Sequence, residues 1–211
     1  MRIIRLLTAS ILGYLLGTVP SADIASRLVS GTRVDLRRSG SRNPGAINTA
    51  RVLGNNAGRA VMALDVAKGY ASCAGGKALA GDVGAHVAGV AAVLGHCYPV
   101  WSRFEGGKGL ATSFGQCLYT FPMAAPVDLV TAIGVARIPG LRRPGLVSTA
   151  AASGAWLLMS FVWWRRGLPN SWGPEPSAAL LVANGATVLV VASRSIAAYR
   201  RGDSDDLEPS R

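Results

Sequence analysis

Residues 110–136 read LATSFGQCLYTFPMAAPVDLVTAIGVA, and whether this stretch crosses a membrane once or turns back decides the architecture around it. It is apolar and long enough for one spanning helix, which needs about 20 such residues. Yet Thr120-Phe121-Pro122 interrupts it, and proline both removes a backbone donor and breaks a helix. The break permits two short, tilted half-spans in place of one crossing. Outward from it lie further apolar blocks at Ile3–Leu28, Ala57–Leu79, Val83–Trp101, Leu146–Trp164 and Pro176–Ala192. Of 211 residues, 50% are hydrophobic and only 16% charged, a membrane-protein profile. The expected fold class is all-α: a polytopic helical bundle of about seven transmembrane segments in one domain, 1–201. The first block continues past signal-peptide length without an Ala-x-Ala-like site, so it reads as the first span.

The distribution of charge favours the turn. A net charge of +11 in a soluble chain would point to nucleic acid, but here the basic residues sit between apolar blocks, as membrane topology requires. The clusters are Arg33, Arg37, Arg38, Arg42 and Arg51; Arg103 and Lys108; Arg137, Arg142 and Arg143; and Arg194, Arg200 and Arg201. All four face the cytoplasm only if 110–136 crosses twice or dips in and returns. The N-terminus is then outside and the C-terminus inside. Arg165 and Arg166 face outward against the rule, beside Trp163, Trp164 and Trp172, which fit an interfacial aromatic belt. No nucleic-acid partner is expected. Cys73, Cys97 and Cys117 read as small buried hydrophobes, and two histidines, His86 and His96, make no zinc spacing; neither a metal nor a cofactor is expected. The polar tail 202–211, GDSDDLEPSR, reads as disordered.

Two polar loops stand out. The first, RVDLRRSGSRNPGAINTARVLG (Arg33–Gly54), is rich in donors and poor in negative charge. Ser41, Asn43 and Asn48 offer hydroxyl and amide hydrogen bonds, Gly45 lets backbone approach a ligand, and Arg51 supplies a two-pronged cation, a set suited to phosphate. The second, GHCYPVWSRFEGGKGLATSFG (Gly95–Gly115), surrounds Lys108 with Gly106, Gly107 and Gly109. Unshielded amides beside an ammonium would cradle an oxyanion. A nucleotide P-loop fails on spacing, since Ser102 stands where glycine and Gly109 where Ser or Thr would be needed. Asp23, Asp65 and Lys68 are the intramembrane polar groups a phosphosolute transporter would need, but Asp65 and Lys68 at i, i+3 read as a satisfied pair.

SRNPGAINTAR (Ser41–Arg51) after Gly40 resembles the first motif of the bacterial acyl-phosphate-dependent glycerol-3-phosphate acyltransferases, and GHCYPVWSRFEGGKGLAT (Gly95–Thr112) resembles the second. LLGTVPSADIASRL (Leu15–Leu28) is similar to that family's first helix. The resemblance implies a multi-pass enzyme of the bacterial plasma membrane with its site facing the cytoplasm. Its substrates would be acyl phosphate and glycerol 3-phosphate, and its products lysophosphatidic acid and phosphate. It implies Ser41, Lys108 and His96 as catalytic residues, with Asn43, Gly45, Asn48, Arg51, Gly106, Gly107 and Gly109 binding substrate or phosphate. In that picture His96 orients the second loop, substrate phosphate accepts the proton, and the acyl tail lies in an apolar groove open to the bilayer.

Departures from the family pattern are also present. Arg42 stands where glycine is usual, Ile47 where threonine is usual, and Glu105 where lysine is common. The third motif is eroded, with Ala192, Ser193, Ser195 and Ala198 at its polar positions. Arg194, Arg200 and Arg201 are candidates to replace the lost charge. The alternative reading is a catalytically weakened paralogue that binds lipid or phosphate.

Overall fold

The computed structural model describes residues 1–31 and 34–202; Arg33 and nearly all of the polar tail lie outside them. All regular structure among the described residues is helical, without strands. Helix α1 (Arg2–Gly17) is followed after Thr18–Pro20 by α2 (Ser21–Ser30), and α3 (Ala46–Leu53) precedes α4 (Asn55–Cys97). A 3-10 turn (Val100–Ser102) leads to α5 (Leu110–Thr120), α6 (Ala125–Ala136), α7 (Pro144–Arg166) and α8 (Ala178–Arg200).

Helix α4 is a hairpin. Ala80 and Gly81 leave helical geometry, Gly81 at φ 69°, a conformation glycine adopts without steric cost. The arms, residues 55–79 and 82–97, pack so closely that a Cβ on Gly76 would lie 2.3 Å from the Gly84 carbonyl oxygen. The two apolar blocks read from sequence on either side of this turn are therefore two arms running in opposite directions. Helix α1 lies along the second arm through Gly13 and Gly17, where an added Cβ would come within 2.2 and 2.1 Å of the carbonyl oxygens of Ala88 and Ala92. Small residues four apart on both surfaces let the backbones touch, the packing mode favoured where lipid removes the hydrophobic drive for association.

The chain has two distinct ends. Thr18, Tyr98, Gly106, Arg194 and Tyr199 gather at one: Trp101 Nε1 donates to Thr18 Oγ1 (3.0 Å), and Arg143, just before α7, stacks over the Tyr199 ring (4.4 Å). At the other lie the Ala80–Gly81 turn and the α7–α8 loop, whose Asn170 and Trp172 donate to the carbonyls of Thr120 (3.0 Å) and Leu118 (3.1 Å). Helix α5 leaves the first end, the chain turns at Phe121–Pro122 with Phe121 edge-on to Trp163 (5.7 Å), and α6 returns along α7. With 11 and 12 residues, these helices are about 16 and 18 Å long at about 1.5 Å per residue.

Side-chain partition is that of a bilayer protein. Ile3, Ile4, Leu7, Ile11 and Leu15 form an exposed stripe on α1, and Val182, Leu189 and Ile196 one on α8. The interior is partly polar: Gln116 accepts from Thr187 (2.9 Å) and Asn184 donates to Ser160 (2.8 Å), joining α5, α7 and α8. Among the described residues, four helical stretches are long and apolar enough to cross a membrane: Arg2–Val29, Asn55–Ser102, Pro144–Arg166 and Ala178–Arg200. The three cysteines are free and buried.

Candidate active site

A cleft opens at the first end, between the Gly17–Ala22 turn and the two polar loops. Pro20 breaks α1 from α2 and fixes that turn. Arg37 ties both loops to it. Its Nη1 lies 3.2 Å from Asp23 Oδ1, Nη2 donates to Ser102 Oγ (3.1 Å), and Nε donates to the Glu105 carbonyl (2.9 Å). One guanidinium thus joins α2, the first loop and the second. The sequence reading counted Arg37 only among topology-setting charges.

The cleft floor is ionic. Asp65 Oδ1 accepts from Ser21 Oγ (2.8 Å) and pairs with Lys68 Nζ (2.8 Å), while His96 Nδ1 stands 3.4 Å away. Lys68 also donates to the Val19 carbonyl (3.1 Å). The expected i, i+3 pair is present, but its position against His96 was not anticipated. Charged residues inside an apolar block were the available signal.

The glycines of the second loop are fixed by close packing. Gly106 N–H donates to the Cys97 carbonyl and Gly107 N–H to the His96 carbonyl, both at 3.2 Å, so these amides are already committed within the loop. Their carbonyls face Arg194, whose Nη2 donates to Gly106 and Nε to Gly107 (3.4 Å). A Cβ on Gly106 would meet the His96 carbonyl oxygen at 2.0 Å, and one on Gly107 would meet His96 Nε2 at 2.2 Å. Gly109 adopts φ 88°, and a Cβ there would lie 2.8 Å from Cys97 Sγ. These glycines are required by packing on His96 and Cys97. Gly106 and Gly107 also line the cleft.

Asn48 is likewise turned inward. It is fully buried; its Oδ1 accepts from the Ser41 N–H (2.8 Å) and its Nδ2 donates to the carbonyls of Leu36 (3.2 Å) and Ser39 (3.0 Å). It shapes the first loop and has no exposed atom to offer a substrate. Gly45 caps α3, its carbonyl accepting from Thr49. Arg42 is in the left-handed region (φ 58°), which explains why glycine suits that position. Ile47 and the Glu105 side chain are exposed.

Of the expected site residues, His96, Gly106 and Gly107 line the cleft. Asn43 and Gly45 flank the lining residue Pro44, and Lys108 follows the lining residue Gly107, whereas Ser41, Asn48, Arg51 and Gly109 are not among the lining residues or next to them. Ser21, Arg37, Asp65, Lys68 and Ser102 line it without having been anticipated. Among the described residues no group of His, Cys, Asp or Glu could hold a metal ion.

Residues 7–201 match the family model described as glycerol-3-phosphate acyltransferase. The glycerol-3-phosphate acyltransferase of Thermoanaerobacter pseudethanolicus is 40% identical over 155 residues, covering 74% of this chain and 76% of that protein. The protein of the same name from an Anaeromyxobacter species is 39% identical over 175 residues, covering 81% and 84%. The crystal structure of PlsY, an integral membrane glycerol 3-phosphate acyltransferase, in its glycerol 3-phosphate form superimposes with a TM-score of 0.75 at 28% identity over 94% of both chains. Its lysophosphatidic acid form gives 0.70 at 26%, over 94% of this chain and 93% of that one. A match spanning both polar loops and every helix, together with relatives at this identity, settles the assignment: the chain belongs to the glycerol-3-phosphate acyltransferase family.

Proposed function

We propose that this protein is a membrane acyltransferase that moves a fatty acyl group from acyl phosphate to the 1-hydroxyl of glycerol 3-phosphate, releasing lysophosphatidic acid and inorganic phosphate. The observation that carries the reading is the convergence of the two motif-bearing loops, through Arg37, on one cleft at one end of a helical membrane protein of this family. The acceptor oxygen attacks the acyl carbonyl carbon, the bond from that carbon to the phosphate oxygen breaks, and the hydroxyl proton passes to substrate phosphate. An acyl phosphate is an activated mixed anhydride, so no covalent enzyme intermediate is required; placing the reactants and stabilising charge suffices.

Lys108 and Arg51 are assigned to substrate phosphates, and Ser41 and Asn43 to the reacting carbonyl or hydroxyl. Gly45 and Gly109 shape the loop ends, Asn48 holds the first loop, and His96 with Gly106 and Gly107 forms the cleft wall. The bundle, one domain over 1–201, lies in the bacterial plasma membrane as seven segments counting α5 and α6 as half-spans, with the cleft facing the cytoplasm where the basic loops gather.

Purified protein supplied with acyl phosphate and glycerol 3-phosphate should release phosphate and lysophosphatidic acid stoichiometrically, and acyl thioesters should not substitute. Equal use of a thioester would overturn the donor assignment. The competing reading, a lipid- or phosphate-binding paralogue, is favoured by one observation: Arg194, the best-placed replacement for the eroded third motif, grips loop carbonyls. Binding of glycerol 3-phosphate without turnover would establish it.

A further inference from the structure

We infer that Asp65 and Lys68, with Ser21, form a positioning unit that sets His96 and, through it, the Gly106–Gly107 segment next to Lys108. The inference rests on the acyltransferase reading for its kinetic test and on geometry alone for its structural one.

Asp65 Oδ1 is a common acceptor for three chain segments: Ser21 Oγ at 2.8 Å from the α1–α2 turn, Lys68 Nζ at 2.8 Å from its own helix, and His96 Nδ1 at 3.4 Å from the second arm of α4. Lys68 closes the unit by donating to the Val19 carbonyl. All four side chains are buried. Buried ion pairs add little net stability compared with apolar residues of similar volume, so their presence in a span calls for another role. The imidazole supplies that role. One ring nitrogen faces Asp65, and the other occupies the space a Gly107 side chain would fill. The Gly107 N–H also bonds to the His96 carbonyl. A ring held on one face and packed against backbone on the other transmits the position of Asp65 to the loop that carries Lys108.

The test is a double-mutant cycle on kcat/KM combined with hydrogen exchange. Asp65→Asn and His96→Ala should each lower kcat/KM tenfold or more. If the unit acts through His96, adding the charge-neutral change Asp65→Asn/Lys68→Met to the His96→Ala background should cost less than about twofold further; independent, multiplicative losses would overturn the proposal. His96→Asn, whose amide can take the place of Nδ1 toward Asp65, should retain more activity than His96→Gln; the reverse order would also overturn it. Because Asp65→Asn alone strands the Lys68 charge, the neutral pair Asp65→Asn/Lys68→Met serves as the folded control. It should keep the wild-type melting temperature within a few degrees yet remain at least tenfold impaired, whereas wild-type kinetics would show a merely structural pair. Exchange of the Gly106 and Gly107 amides should accelerate in this neutral pair and in His96→Ala. Unchanged protection sinks the inference even if the wild type turns over nothing, the result that would instead sink the acyltransferase reading.

Discussion

Lys108 is the residue whose role was most open to reading from sequence, because an ammonium among glycines in an apolar chain has few uses other than an anion. The structure keeps the lysine next to the cleft wall and packs the preceding glycines against His96. Sequence shows that a residue lacks a side chain; it does not show which atom occupies the vacated space, and here that atom is His96 Nε2. The same holds for Asn48, whose donors and acceptor are all turned to the first loop. Two expectations follow. On the proposed assignment, Lys108→Ala should lose a charge-assisted phosphate contact of about 1.5–3 kcal/mol, lowering kcat/KM by one to two orders of magnitude. Asn48→Ala should do the opposite in kind, lowering stability by about 1–3 kcal/mol, because the Ser41 amide and two carbonyls lose their partner. Comparing thermal unfolding with initial rates for the two variants separates the roles, and an Asn48→Ala protein of wild-type stability would refute the loop-holding assignment.

At the level of elements, hydropathy delimited nearly every helix, since apolar blocks bounded by arginines mark where chain can lie in lipid. It separated the two arms of α4 as Ala57–Leu79 and Val83–Trp101, in agreement with the turn at Ala80 and Gly81, but could not show that α1 docks on the second arm through glycine-to-alanine backbone contact, because such contacts depend on helix rotation. Of the two α1 glycines at that seam Gly17 is the tighter, since a Cβ would sit 2.1 Å from the Ala92 carbonyl oxygen. Gly17→Leu should therefore force α1 away from α4 and cost about 1–3 kcal/mol or more through overpacking, seen as a lower melting temperature in detergent. Gly134→Ala in α6, where an added Cβ meets nothing within 4 Å, should be neutral or slightly stabilising. Similar melting temperatures for both variants would mean that α1 is not seated on α4 as described. The eroded third motif also belongs to this scale. Arg194 projects from α8 onto the Gly106 and Gly107 carbonyls and lies 5.2 Å over the Tyr98 ring, so α8 supports the second loop.

For the molecule as a whole, the fold-back at Phe121–Pro122 is what brings the basic clusters together. A single crossing by 110–136 would place Arg142 and Arg143 at the end opposite Lys108, yet Arg143 stacks on Tyr199 at the end where Arg194 reaches the Gly106–Gly107 loop. Neither α5 nor α6 matches a hydrocarbon core of about 30 Å, and the carbonyls freed at the break are taken up by Asn170 and Trp172 from the α7–α8 loop, as lipid-embedded backbone demands. Charge bias and one proline were enough to pose the turn, but not to identify those two donors, which lie some 50 residues on in the chain. The test is sidedness. In a background with Cys73, Cys97 and Cys117 changed to alanine, single cysteines at Arg51, Lys108 and Arg142 should react with an impermeant maleimide only in inside-out vesicles, and one at Arg166 only in right-side-out vesicles. Position 142 is decisive, because both topologies agree on 51 and 108. Should it react only in right-side-out vesicles, with 166 then reacting only in inside-out ones because α7 still crosses between them, α6 does not return, Arg142 and Arg143 leave the face that carries Lys108, and the single-crossing architecture replaces this one.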